Sequence, residues 1–283
     1  MSDTTSFETT VIKQLLLPVL NLKKRFPWLP GARSVQAEAA FIGISEDELM
    51  DARIRYDMAA KQAALELLKE DAIVDALNAK PFGEKGTIVA VGDGLTEDLQ
   101  GWFEILKHVL EIGTEGGFRC VNAAVSGYTS LDCLRTFERD VILEKPDWVI
   151  FAVGSHDAMR LHGVPSRTLV SLAEYWENIS AMESMAGEVS KNPVIWVTPP
   201  PVDIELMKQS PLFEGSILEA DLHHYREVLA GKTGIVVDPY GQRLGRPVGP
   251  WNVSGDGFHL TTAGHMETVR ALFRAFAGVT SGS

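Results

Sequence analysis

From Thr87 onward the chain alternates short, mainly apolar runs with amphipathic stretches of helical spacing, and few folds accept that pattern. The runs are Ile88–Val91, Phe118–Val121, Trp148–Val153, Val194–Val197 and Ile235–Val237. Apart from Arg119 in the second, they are continuous rather than alternating, the mark of parallel strands buried on both faces. The stretches Trp102–Leu110, Ser130–Glu144, Leu169–Ser190 and Ile217–Ala230 supply the crossover helices, and a last helix runs from Thr262 to about Phe276. The fold class is therefore α/β: a doubly wound parallel sheet in three α/β/α layers, with ligands expected beyond the carboxyl ends of the strands.

Residues 1–85 stand apart from this pattern as an N-terminal helical extension, leaving 86–283 as the α/β domain. An irregular arm over residues 1–40, broken by Pro18, Pro27 and Pro30, is expected to pack on the body, with its first few residues unstructured. Ser45 and Glu48 have the spacing of a capping box, and apolar residues from Leu49 to about Leu77 predict one long helix. That helix is read as cladding, with a lid or a homo-oligomer contact as the other uses open to it. The apolar stretch Leu15–Leu22 is interrupted by Pro18 and Asn21, unlike a secretory leader, and no run approaches the ~20 apolar residues that cross a bilayer.

Among the 283 residues, 38 acidic side chains against 26 basic give a formal net charge of -12, which would repel a phosphate backbone and argues against nucleic acid as a partner. Cys120 and Cys133 lack zinc-like or C-x-x-C spacing and read as reduced thiols, so the expected setting is cytoplasmic, away from membranes.

The informative polar residues fall just after the strands. They are Gly92-Asp93-Gly94-Leu95, Asn122 to Thr129 around Ser126-Gly127, Gly154-Ser155-His156-Asp157, and Asp256-Gly257-Phe258-His259 before the last helix. Singly each is a turn or a chance pair. Together, and in this order over residues 86–276, they resemble the blocks of the SGNH (GDSL-type) acylhydrolases, a flavodoxin-like fold of esterases.

The resemblance implies that Asp256 and His259 are the acid and base of a triad, and that the amide of Gly127 is an oxyanion donor. It implies local hydrogen bonding for Asp93 and a place for Ser155 in the substrate loop. Two positions depart from the family pattern: Gly94 stands where the nucleophilic serine belongs, and His156 where an oxyanion-binding asparagine belongs. Glycine has no atom with which to form an acyl-enzyme. His156 still carries an N–H to donate.

Three readings fit these residues. In the first, a natural enzyme acts on a small acyl or carbonyl substrate through His259/Asp256 acid–base chemistry. In the second, Gly94 is an introduced substitution that silenced a serine esterase. In the third, the pocket only binds. Two altered positions are harder to assign to one engineered change, which places the natural enzyme first.

The hydroxyls of Ser126 and Ser155 could approach His259 but read as loop residues bonded to their own backbone. Asp93, His156, Asp256 and His259 lack metal-ligand spacing, so neither metal nor other cofactor is expected. The proline-rich segment from Thr198 to about Phe213 is the expected pocket wall, with Met207, Leu212 and Phe213 as apolar lining.

Overall fold

The computed structural model describes residues 13, 15–241, 249 and 252–280. Strands β1 (Gly86–Gly92), β2 (Phe118–Asn122), β3 (Trp148–Ala152), β4 (Met159–Leu161), β5 (Ile195–Val197), β6 (Gly215–Ile217) and β7 (Ile235–Val237) form two sheets. The central one has the order β2-β1-β3-β5-β7 with every ladder parallel. Winding reverses at β1, flanked by β2 on one side and β3 on the other. The loops after β1, β2 and β3 therefore open on one crevice, where this architecture binds ligands.

The continuous apolar runs are explained by burial on both faces. Ile88 and Ala90 face one way, against Phe103, Leu106, Leu272 and Phe276 of the helices Trp102–Gly113 and Thr262–Thr280. Val89 and Val91 face the other way with Phe137, Tyr175 and Leu222 of the helices Ser130–Asp140, Leu172–Val189 and Glu219–Ala230. These side chains are almost wholly buried, each worth about 1.5–3 kcal/mol over exposure for a large aliphatic or Phe.

The extension joins the first of these cores. Ser45 and Glu48 form the expected capping box of the helix Glu46–Leu67, whose Ala60, Ala64 and Leu67 are buried against the Trp102–Gly113 layer. His108 fastens the two helices through Asp57 at 3.0 Å, so it is a buried packing histidine rather than a surface one. The single long helix expected to Leu77 breaks at Leu68–Glu70 and restarts as Asp71–Asn78. Glu70 at the break pairs with Arg270 of the last helix (2.7 Å), and the new direction takes Ile73 and Leu77 into the core.

The arm is more regular than expected, with a helical turn at Leu22–Arg25 and a helix Val35–Ile42 whose Ser34 hydroxyl accepts from the Ala37 amide. Its prolines fall outside the helices or in a first turn, where a missing N–H costs nothing. The opening residues, expected to be unstructured, lie outside the described ones. No helix among the described residues is long and apolar enough to cross a membrane. Both cysteines are free thiols. The antiparallel pair β4/β6 was not foreseen: Ile217, expected in a helix, lies opposite Met159.

Candidate active site

Four loops build the site. After β1, Asp93 caps the one-turn helix Gly94–Glu97, its Oδ1 accepting from the Leu95 amide at 3.0 Å. Its Oδ2 lies 3.0 Å from Nδ1 of His156 in the loop after β3. That contact revises the expectation for His156. Against a carboxylate Nδ1 must donate, so a neutral His156 spends its one N–H on Asp93 and has only an acceptor left. Its Nε2 donates only when the ring is doubly protonated.

In the loop from Ser254 to His259, Asp256 Oδ1 accepts from the Ser254 hydroxyl (2.7 Å) and from the amides of Phe258 and His259 (2.9 Å each). Its Oδ2 meets Nδ1 of His259 at 2.6 Å. Burial alone would raise the Asp256 pKa, but these donors outweigh it and hold the carboxyl well below its usual range. An ionised Asp256 fixes the proton of His259 on Nδ1 and leaves Nε2 as the basic nitrogen. The loop is closed by a bridge between Val253 and Leu260 and pinned to the proline-rich segment by the Asp203 amide, which donates to the Gly257 carbonyl at 2.8 Å.

Nε2 of His259 points at Gly94. A Cβ placed on Gly94 would stand 3.2 Å from that nitrogen and 3.0 Å from the Ser126 hydroxyl oxygen. Gly94, Ser126 and His259 thus converge on one spot, with Gly127 adjoining Ser126 in a left-handed conformation (φ 80°). Buried Phe258 lies edge-on to both imidazoles, 5.0 Å from that of His156 and 5.3 Å from that of His259 by ring centroid.

Ser155 is buried and lines a cavity of about 20 Å³ with Leu95, Pro199 and Leu260. Asp157 turns its carboxylate to the Ser130 amide (3.0 Å), tying the loop to the helix that begins there. Of the expected wall, Phe213 packs on Phe258 at 5.2 Å and reaches His259 at 6.3 Å, and Leu212 is half-buried. Met207 is fully buried in the core, held there by the turn Ile204–Gln209, so it cannot line a pocket. No cluster of three or more His, Cys, Asp or Glu suited to a metal ion occurs among the described residues.

Burial lowers the His259 pKa, yet the hydrogen bond and charge of Asp256, with Asp98 and Asp93 nearby, outweigh it and raise the value. A base works only when unprotonated, so any His259-dependent rate should climb with pH through a midpoint above the ordinary ~6.5 of imidazole. A pH–rate profile checks this; a limb centred below that value would contradict the pairing.

Residues 88–266 match the model of the GDSL-like lipase/acylhydrolase family. The chain belongs to that family. Among GDSL-like proteins it is 28% identical over 208 residues to an acetylxylan esterase of Geobacillus stearothermophilus, covering 72% of this chain and 90% of that one. The crystal structure of Axe2, an acetylxylan esterase from that organism, matches with a TM-score of 0.53 at 22% identity, over 68% of this chain and 94% of Axe2. LAE5, an α/β hydrolase from the metagenome of Lake Arreo, matches at 0.55 and 22%, over 68% and 95%. At such identities the structures show the fold alone. Solved catalytic mutants of Axe2 replace a serine, an aspartate and a histidine by alanine, the last two three positions apart.

One group of residues around this GDSL-like site escaped the sequence reading. Glu97 is buried and accepts from the Ser126 amide, and burial pushes its pKa up to about 7 against the opposing charge of Lys24. Lys24 also donates to Ala124 O (3.0 Å) and Asn122 Oδ1 (3.3 Å), while Arg25 donates to Ser126 O at 2.9 Å. The arm therefore holds the loop after β2. The only sequence signal was the basic run Lys23-Lys24-Arg25, about 100 residues away from the loop it grips.

Proposed function

We propose that this chain is an acylhydrolase-type enzyme for a small acyl or carbonyl substrate. In it His259, held by Asp256, is the general base, and no side chain at position 94 takes part. The observation that carries the reading is the Asp256–His259 pair at 2.6 Å, with Nε2 aimed at Gly94 and free of any partner among the described residues. A pure binding pocket gains nothing from a base so oriented. His259 takes the proton of an attacking hydroxyl and returns it to the leaving oxygen, work worth about 10²- to 10⁴-fold in rate. The exposed Gly127 amide, which has no partner among the described residues, is the donor available to a developing oxyanion.

The likeness to an acetylxylan esterase makes acetylated sugars the first natural class to test. The test is proton release from p-nitrophenyl acetate and from acetylated xylo-oligosaccharides by the chain and by His259→Ala. Release no faster than in the variant would remove the reading.

A second reading, a serine esterase silenced by glycine at position 94, is favoured by one observation. Among the described residues a Cβ there is crowded only by Ser126 Oγ and His259 Nε2, so a serine fits once these give by a few tenths of an ångström.

A further inference from the structure

We propose that Ser126 is the nucleophile of this site, moved from the loop after β1 to the loop after β2, with His259 as its base. This rests on the reading of His259 given above and names the hydroxyl on which it acts. Three observations carry it.

The first is convergence. Ser126 Oγ and His259 Nε2 lie 3.0 and 3.2 Å from the point where a Cβ on Gly94 would stand, so the two reactive atoms border the same small space beside the glycine. A side chain at 94 would crowd both of them. On this account Gly94 is the opening through which Ser126 meets the base.

The second is an uncommitted hydroxyl on a fixed backbone. The Ser126 amide is bound by Glu97 and its carbonyl by Arg25, whereas its hydroxyl has no hydrogen-bond partner among the described residues. The sequence expectation, a serine bonded to its own backbone, is not what the loop shows. Half-burial keeps the hydroxyl within reach of a substrate.

The third is the next amide. The N–H of Gly127 follows the hydroxyl-bearing residue directly, which is where the nucleophile elbow of other hydrolases draws an oxyanion donor. It is exposed and unpaired among the described residues.

The steps balance without any further reagent. Ser126 Oγ bonds to the acyl carbon as its proton passes to His259 Nε2, and the oxyanion is held at Gly127. Collapse breaks the bond to the leaving oxygen, which takes the proton from His259. Water, deprotonated by the same nitrogen, then cleaves the Ser126 ester, releasing the acid and restoring the hydroxyl.

The test treats the full chain with an alkyl fluorophosphonate, which phosphonylates an activated serine with loss of fluoride, followed by peptide mass mapping. One adduct is expected, on the peptide bearing Ser126, and none in Ser126→Ala or His259→Ala. An unlabelled Ser126 in the wild-type chain overturns the proposal, and this measurement needs no variant to fold. Turnover of p-nitrophenyl acetate gives the second arm. Ser126→Ala, His259→Ala and the double variant should each lose at least ~100-fold, with no further loss in the double, as for residues acting as a unit. If Ser126→Ala keeps wild-type turnover while His259→Ala loses it, Ser126 is excluded and the base reading stands. If His259→Ala keeps its turnover, the reading beneath fails, and the proposal with it.

Discussion

Replacing His259 with alanine is expected to lower kcat/KM on acyl esters by about 10²- to 10⁴-fold while leaving far-UV circular dichroism and melting temperature near those of the parent. The size follows from what is lost. Alanine removes the imidazole nitrogen that lies beside Gly94 and Ser126, and the Gly127 amide, unpartnered among the described residues, cannot move a proton. The fold should survive because the loop is held by other bonds: the Ser254 amide to the carbonyl at 259, the three donors on Asp256 Oδ1, and the Val253–Leu260 bridge. One strain is introduced, since Asp256 loses a charge-assisted partner while buried. Steady-state kinetics with matched thermal melts check the pair of expectations. A variant that unfolds would show that the imidazole is structural, and one with unchanged kcat/KM would show that it is idle.

The largest structural effect is expected one residue past the acid. Gly257 has φ 79°, and a Cβ there would lie 2.4 Å from the Asp203 carbonyl oxygen and 2.6 Å from the Met207 amide nitrogen. These are backbone atoms of a capped turn and cannot swing aside as a flexible side chain would. The left-handed conformation costs a non-glycine residue about 1–2 kcal/mol, and forcing extra volume into packed structure about 1–3 kcal/mol more. Gly257→Ala should therefore lose roughly 2–5 kcal/mol in urea denaturation, or separate the Asp256–His259 loop from the proline-rich segment at similar expense. Activity should fall with it, because Asp256 and His259 flank the displaced residue. Stability and turnover both within error of the parent would mean that the loop is not seated on residues 203–207 as described.

The sheet was legible because burial on both faces leaves little freedom in composition. Runs such as Ile88–Val91 must be apolar at every position, and the observed strands fall on them to within a few residues. The break at Leu68–Glu70 was not legible, since apolar periodicity continues through it. What redirects the chain is the pairing of Glu70 with Arg270, 200 residues away. The approach of Asp256 to His259 was readable as a motif, because both lie on one short loop.

The partner of His156 was not readable. Asp93 caps a helix with one oxygen and meets His156 with the other, and only the meeting of two strand ends brings them together. The grip of Lys24 and Arg25 on the Ser126 loop was hidden for the same reason. Met207 was misplaced because a methionine in a loop-rich segment carries no mark of which way its turn will face.

The most direct test of the central claim is hydrolysis of p-nitrophenyl acetate by the chain and by Gly94→Ser, each beside its own His259→Ala control. The glycine form is expected to turn over ester above its control, with serine at position 94 not required. A glycine form indistinguishable from its control, beside a Gly94→Ser variant that gains His259-dependent turnover, would contradict it and identify a serine esterase that lacks its nucleophile.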